Sequence, residues 1–286
     1  MQKHAFSYNF VEIKILLKMK PTDILKATWV ELNNARYAVT KNASFISNEE
    51  EKHIVNEIRE KGYYVVENVY PIDWCEKAIA EINVIIDRYN DQIWQDDAKS
   101  DHRLFGADKV SDLINNFYND EFARRILQTY EGIEVKDGFT LGARLDHKPG
   151  NIGSGGGWHR DHAKTKQSKS ILYLTDVSIE HGPFQYIEES HKSLKVYADS
   201  NKYNLDPFQN RFEDEQVEKL IQAEPARLKT LTGNAGTMIL ADTRGIHRGM
   251  PIQKDVRYAL TNYFWFHTVV PSHMARKLLT GSRKTM

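Results

Sequence analysis

Two hydrophobic periodicities divide the chain near Gly138. Before it, apolar residues recur at helical spacing. Ser47 and Glu50 predict a capping box, the apolar face that follows predicts a helix, and Gly62 is typical of its end. The run YYVVENV then predicts a strand, and a second helix is predicted to open at Pro71. A further helix is predicted over about residues 120–130.

After Gly138 the pattern changes to strict alternation, which is typical of strands. Short β-type runs are separated by glycine, proline and asparagine: FTLGARLDH, SKSILYLTDV, GPFQYI, GTMILAD and VRYALTNYFWF. The exception is EDEQVEKLIQAE at residues 213–224, whose charge and spacing predict a surface helix. The order of elements predicts an α+β chain whose second half is a sandwich or barrel.

The first 45 residues lack the pattern that becomes readable after them. We expect a domain over residues 46–286, preceded by an N-terminal extension over residues 1–45. Two origins for the extension stay open: an appended arm, or upstream residues read through before Met19. The apolar run at residues 10–19 contains Glu12, Lys14 and Lys18, is too short to cross a bilayer and does not resemble a signal peptide.

Composition points to a small-molecule partner. The 286 residues carry 39 basic and 39 acidic side chains, so long-range charge favours neither nucleic acid nor a membrane as partner. Cys75 is the single cysteine, which excludes an internal disulfide and predicts a reducing, cytoplasmic compartment. Either a monomer or a homodimer is expected.

The segment GSGGGWHRDH at residues 153–162 is the first candidate for chemistry. A phosphate-binding loop needs a lysine and a hydroxyl residue directly after its glycines, and Trp158 and His159 stand there instead. His159 and Asp161 are two apart, so in an extended segment both side chains point to one cavity. The glycines would let the loop run close to that cavity. An inconsequential surface pair is the alternative.

His247 is the proposed third partner. Two histidines and one carboxylate on one face form the facial triad of non-haem Fe(II) oxygenases, which leaves coordination sites open. A lone histidine is more often structural, and His247 stands out by its place between two predicted strands. The triad predicts that His159, Asp161 and His247 act as metal ligands and catalytic residues.

Arg257 follows His247 by ten residues, at the start of a strand that must alternate between the barrel interior and its outside. A buried arginine requires an acidic partner, and its planar fork suits a carboxylate, such as the 5-carboxylate of 2-oxoglutarate. The charges of Fe(II), Arg257, Asp161 and the dianionic co-substrate then cancel. Arg144 is a second candidate for the co-substrate end of the pocket, with a structural strand arginine as an equal alternative.

These motifs resemble the phytanoyl-CoA dioxygenase family of Fe(II)/2-oxoglutarate oxygenases. RLDHKPG and WHRD are similar to stretches of its ectoine-hydroxylase-type members, and HGPFQYIEESHK and GTMILADTRGIHRG to two later family segments. The resemblance spans about residues 46–266. It implies a double-stranded β-helix, a cupin-like jelly roll, flanked by N-terminal helices, with Fe(II), 2-oxoglutarate and O2 as cofactors.

Four positions bear on how closely the chain matches the family pattern. Glu188 and Glu189 replace the family's usual Pro-Gly turn, and Asp146 replaces an asparagine of ectoine hydroxylases, so ectoine is not implied as substrate. Asp161 retains the carboxylate that related halogenases lack, which favours hydroxylation over halogenation.

The predicted function is hydroxylation of an unactivated C–H bond of a small molecule, with release of succinate and CO2. Desaturation or cyclisation with the same cofactors, zinc-dependent hydrolysis and a non-enzymatic binding module are the alternatives. The zinc alternative gives Arg257 no task. The charged segment DHRLFGAD at residues 101–108 is a further candidate, as a loop over the cavity mouth where His102 or Arg103 could meet an anionic substrate. A solvated loop is the competing interpretation.

Overall fold

The computed structural model describes residues 17, 19–38, 48–163, 165 and 167–280. Its helices are α1 (Pro21–Ala38), α2 (Glu49–Lys61), α3 (Ile72–Arg88), α4 (Asp112–Tyr118), α5 (Glu121–Glu131), α6 (Ser193–Tyr203), α7 (Asp214–Ala223) and α8 (Ser272–Ala275). Its strands are β1 (Tyr63–Val66), β2 (Trp94–Gln95), β3 (Asp101–Phe105), β4 (Asp137–Asp146), β5 (Ser168–Tyr173), β6 (Phe184–Ile187), β7 (Leu228–Leu231), β8 (Met238–Asp242), β9 (His247–Gly249) and β10 (Val256–Trp265).

The strands form two antiparallel sheets. The larger has the order β1-β8-β5-β10-β4-β3-β2, and the smaller has the order β7-β6-β9. His159 adds a bridge to the free edge of β9 through paired backbone hydrogen bonds with His247, of 2.9 and 2.8 Å. Side chains from both sheets line one cavity. The predicted α+β fold with a jelly-roll core is confirmed.

The larger sheet is covered by helices on its outer face because its strands alternate. Leu104, Leu172, Leu240 and Leu260 point outward and join a core cluster with α2, α3, α4 and α5. On the inner face, Ile171, Tyr173, Ile239 and Ala241 belong to a second cluster between the sheets. Because one face of the sheet is sealed by helices, the other is free to face the cavity.

The predicted helices form with small shifts of their ends. α2 begins after Asn48, whose side chain accepts a hydrogen bond from the Glu51 amide at 2.8 Å. Asn48 is therefore the N-cap, and Ser47, predicted for that place, lies outside the described residues. Gly62 ends α2 in the left-handed conformation, as expected. The predicted surface helix is α7.

Several elements went unpredicted. The segment expected as a mouth loop is largely strand β3 at one side of the larger sheet. Helix α1 lies within the predicted extension and contacts α6, where Glu31 accepts a hydrogen bond from Ser193 and Asp23 one from Asn201. The division into residues 1–45 and 46–286 stays a prediction. Among the described helices, none is both long and apolar enough to cross a membrane.

The Glu188-Glu189 turn keeps a backbone shape that favours glycine. Glu189 has φ of +64°, and its amide donates to the Lys61 carbonyl at 3.1 Å. Its carboxylate lies 3.1 Å from the Lys192 ammonium. A β-carbon in the left-handed region costs about 1–2 kcal/mol, so this turn is strained.

We expect Glu189→Gly to raise the free energy of unfolding by about 1 kcal/mol, because glycine relieves that strain. Glu189→Ala is the matched control, since it removes the carboxylate but keeps the β-carbon. Urea denaturation of the three proteins measures the difference. If the glycine variant were no more stable than the alanine variant, the turn would not be strained.

Candidate metal centre and co-substrate pocket

Three side chains from two separate segments meet at one end of the cavity. The paired backbone bonds hold His159 beside His247, and the Asp161 amide donates to the Thr243 carbonyl at 2.9 Å. One ligand atom from each of His159, Asp161 and His247 lies within 4.8 Å of the other two. Within the described residues, no other three potential ligands meet this spacing. The spacing fits a single metal ion.

Both imidazole rings are oriented by hydrogen bonds to backbone carbonyls of nearby glycines. The Nδ1 atom of His159 lies 2.9 Å from the Gly157 carbonyl, and that of His247 lies 2.8 Å from the Gly245 carbonyl. Because a carbonyl can only accept, each Nδ1 carries the proton and donates, which leaves Nε2 with a free lone pair. The Nε2 atom of His247 is buried and has no hydrogen-bond partner. A metal ion would satisfy it.

The electrostatics favour the protonation states that a metal needs. Burial, together with the neighbouring His247, lowers the pKa of His159 well below its ordinary value, and burial lowers the pKa of His247 to about 4. Burial raises the pKa of Asp161, but Lys169 and the two histidines lower it by more, so it lies below its usual range. The site therefore presents two neutral imidazoles and one carboxylate at neutral pH.

The glycine loop approaches the site closely at Gly155. Its φ is +95°, and a β-carbon there would lie 2.4 Å from Cε1 of His159. Only glycine allows both this conformation and this approach. Gly155 therefore leaves the His159 ring free to face the cavity, which is the role expected of the loop.

Arg257 faces the same cavity. It is 6% exposed, and among the described residues no carboxylate lies within ion-pairing distance of it. Burial lowers the pKa of its guanidinium, but an arginine in a protein stays charged. An unpaired buried cation is costly, so this one is suited to an acidic ligand.

The structure does not bring Arg144 into the cavity. In the β4–β10 ladder Arg144 pairs with Tyr258, one residue beyond Arg257, so its side chain points to the opposite face of the sheet. There it donates to Asp146 at 3.0 and 3.1 Å and lies over the Tyr258 ring. Its binding of the co-substrate, predicted from sequence, is not supported by this position.

Sequence reasoning missed Lys169. Its ammonium lies 2.6 Å from Oδ2 of Asp161 and 4.0 Å from the centre of the Tyr263 ring, and the residue is 4% exposed. Burial lowers the pKa of Lys169, but Asp161 and Tyr263 raise it by more. The sequence did contain a signal for Lys169. Lys169, Ile171 and Tyr173 alternate along β5, so they share one face of the strand, and all three line the cavity.

The cavity has a volume of about 260 Å³. It extends from the three proposed ligands to Arg103 and Phe105 on β3 and to Met274 and Lys277 near the C-terminus. Arg103 donates to Asp101 through Nε at 2.8 Å and Nη2 at 2.5 Å. His102, its neighbour, lies on the other face, 3.5 Å from Asp146. Trp158 packs in a separate core cluster and does not wall the cavity.

Comparison with known proteins identifies the family. The model of the phytanoyl-CoA dioxygenase (PhyH) family matches residues 58–255, more than half of the chain. The chain belongs to the phytanoyl-CoA dioxygenase family. Enzymes of this family use Fe(II), 2-oxoglutarate and O2, so the predicted cofactors are confirmed at the level of the family. No curated protein matches the chain by sequence.

Solved structures support the same fold. The non-heme alpha ketoglutarate dependent carbocyclase SnoK from nogalamycin biosynthesis matches with a TM-score of 0.58 at 18% identity, covering 84% of this chain and 93% of that one. The epimerase SnoN, in complex with Fe3+, alpha ketoglutarate and nogalamycin RO, matches with a TM-score of 0.60 at 15% sequence identity. The match covers 82% of this chain and 91% of that one. EctD from S. alaskensis matches with a TM-score of 0.59 at 17% sequence identity, covering 78% of this chain and 79% of that one.

These likenesses, at identities below one fifth, show the fold alone. The family match places the chain among the Fe(II)/2-oxoglutarate-dependent oxygenases. Because the proteins of similar fold include an epimerase and a carbocyclase, the fold does not fix the reaction.

We expect Gly155→Ala to weaken Fe(II) binding by about tenfold or more, because the new methyl group would push the His159 ring from its place. Gly150→Ala is the matched control: it has a similar φ of +79°, but a β-carbon there meets nothing within 4 Å. Anaerobic calorimetric titration of the two variants and the parent protein measures the affinities. Equal losses in both variants would mean that backbone strain, and not the ring contact, is responsible.

Proposed function

We propose that the protein is an Fe(II)- and 2-oxoglutarate-dependent dioxygenase that hydroxylates a C–H bond of a small molecule. The observation that carries this proposal is the joint placement of the triad and Arg257. Three ligand atoms that fit one metal and an unpaired buried guanidinium open into a single cavity. A zinc hydrolase would need the triad but not Arg257, and a binding module would need neither in this form.

Each residue has a distinct task in this proposal. His159 and His247 hold the metal through Nε2, with Nδ1 fixed by backbone carbonyls, and Asp161 supplies the anionic ligand. Arg257 binds the far carboxylate of 2-oxoglutarate, which sets the direction of the co-substrate along the cavity. When bound at these residues, Fe(II) and 2-oxoglutarate would supply the oxidation of a C–H bond by O2, with conversion of 2-oxoglutarate to succinate and CO2.

The walls around these groups limit water and position the substrate. Phe184 lies against His247, with ring centres 5.3 Å apart, and Ile171 and Tyr173 line the adjoining wall. The Tyr173 hydroxyl donates its proton to the Leu231 carbonyl and accepts from the Phe184 amide, so its proton is not available to a ligand in the cavity. An apolar enclosure of this kind protects a reactive centre from side reactions.

Desaturation and cyclisation remain the second candidate, and they need the same residues. The similar fold of the carbocyclase SnoK supports cyclisation as an alternative outcome. Asp161 keeps the carboxylate of the triad, which favours hydroxylation over halogenation, and the identity of the product separates hydroxylation from desaturation and cyclisation. We also retain the cytoplasmic location, which rests on the single cysteine, Cys75, found free and buried.

The reaction is tested by product analysis under labelled O2. The Fe(II)-loaded protein is incubated with 2-oxoglutarate and candidate small molecules, and succinate release identifies a substrate. A hydroxylated product gains one labelled oxygen atom, whereas desaturation or ring closure removes two hydrogens and adds none. Turnover that needs neither O2 nor 2-oxoglutarate would contradict the proposal and favour a zinc hydrolase.

Arg257→Ala is expected to weaken 2-oxoglutarate binding by about 30-fold or more, because it removes a charge-assisted bidentate contact in a buried place. Arg144→Ala is the control, since that side chain lies outside the cavity and should leave the affinity unchanged. Calorimetric titration of 2-oxoglutarate into Mn(II)-loaded protein gives both values. If Arg144→Ala lost affinity for 2-oxoglutarate and Arg257→Ala did not, Arg144 would be the residue that binds the distal carboxylate.

A further inference from the structure

The cavity carries more positive charge than the proposed cofactors neutralise. Among its described lining residues, five cations face a single carboxylate: Arg103, Lys169, Arg211, Arg257 and Lys277 against Asp161. The charges of Fe(II), dianionic 2-oxoglutarate, Asp161 and Arg257 cancel. Asp101 neutralises Arg103. Lys169, Arg211 and Lys277 are left without a matching negative charge.

Lys169 is the most informative of the three because it is buried. Its ammonium is paired with Oδ2 of Asp161 at 2.6 Å. A metal on the same carboxylate would draw on that negative charge and leave Lys169 only partly compensated. Within the described residues, no second carboxylate lies within ion-pairing distance of Lys169. A buried cation in this position is stabilised by a further anion.

Arg211 and Lys277 add positive charge at the rim. Arg211 donates to the carbonyls of Gly155 and Gly156, and Lys277 lies 5.5 Å from the centre of the Phe105 ring. Neither has a carboxylate within 4 Å in the part of the chain that is described. Both side chains are exposed, so they would attract an anion to the mouth without holding it tightly.

The rest of the cavity is mainly apolar and small. Phe105, Leu141, Ile171, Phe184 and Met274 supply the apolar walls. The volume of about 260 Å³ must hold both co-substrate and substrate, which limits the substrate to a small molecule.

We propose that the substrate is a small organic acid whose anionic group binds Lys169. The group is a carboxylate, a phosphate ester or a sulfate ester, each of which offers oxygen atoms to an ammonium. Because it rests on the function proposed above, this inference names the substrate class of the same site. Lys169 touches a proposed metal ligand, so the oxidised carbon lies within a few bonds of the acid group.

The test compares matched acids and neutral analogues as ligands. The protein is loaded with Mn(II), which replaces Fe(II) so that the complex does not react with O2, and with saturating 2-oxoglutarate. It is then titrated with hexanoate, hexyl phosphate, hexyl sulfate, hexanamide and hexanol. Relaxation of the ligand protons near Mn(II) reports binding. At least one acid is expected to bind about tenfold or more tightly than hexanamide and hexanol. The preferred acid identifies the anionic group.

Three lysine variants then assign the preference to one residue. Lys169→Met should weaken the acid by about ten- to a hundredfold, and Lys169→Arg should keep most of its affinity. Lys52→Met makes the same chemical change on the exposed surface of α2 and should have no effect. Melting curves and the uptake of Mn(II) and 2-oxoglutarate show whether each variant is folded and loaded.

Each outcome is decisive. Equal binding of acids and neutral analogues, absence of acid binding, or an unchanged acid affinity in folded Lys169→Met would overturn the acid-substrate assignment alone. If the parent protein failed to take up metal and 2-oxoglutarate, the proposed function itself would be wrong, and the assignment of the substrate would fail with it.

Discussion

The pair of backbone hydrogen bonds between His159 and His247 is the contact on which the site depends. It fastens the end of the glycine loop to β9, so that two residues 88 positions apart in the chain present their rings to one point. Asp161 follows on the same side and is fixed by its own bond to Thr243. The backbone therefore places the three proposed ligand side chains together, and the cost of ordering them is met during folding.

The balance of buried charge in the cavity is the second constraint on the site. A chain that buries Arg257 and Lys169 around one carboxylate holds an arrangement that is costly without ligands. Asp161 and Lys169 compensate each other. The binding of metal, co-substrate and an acidic substrate would satisfy these groups in turn. Such a pocket is selected for function rather than for stability, as expected where a local structural rule is broken.

Much of the fold was readable from the sequence because its elements are strongly periodic. Helix α2, strand β10 and helix α7 follow from apolar spacing and from caps such as Gly62. The three proposed metal ligands follow from the sequence because spacing, alternation and family motifs agree at those positions. Strand β3 was missed because one of its two cavity-lining residues is the charged Arg103 beside the apolar Phe105, which disguises the alternation.

Orientation was the harder property to read. Arg144 and Arg257 stand on adjacent strands, and only the register tells that one faces the helices and the other the cavity. Lys169 was overlooked because a lysine in a strand is usually solvated, whereas β5 lies inside the larger sheet and all six of its residues are buried. Side-chain direction in a sheet thus depends on pairing, which local patterns do not contain.

The central claim is that one metal and 2-oxoglutarate bind together at His159, Asp161 and His247. Its most direct test is an anaerobic titration of the metal-free protein with Fe(II) and 2-oxoglutarate, monitored by visible absorption. We expect a weak metal-to-ligand charge-transfer band that saturates at one equivalent of each and is absent in Asp161→Ala. A protein that binds zinc at these residues but develops no band with Fe(II) and 2-oxoglutarate would contradict the account.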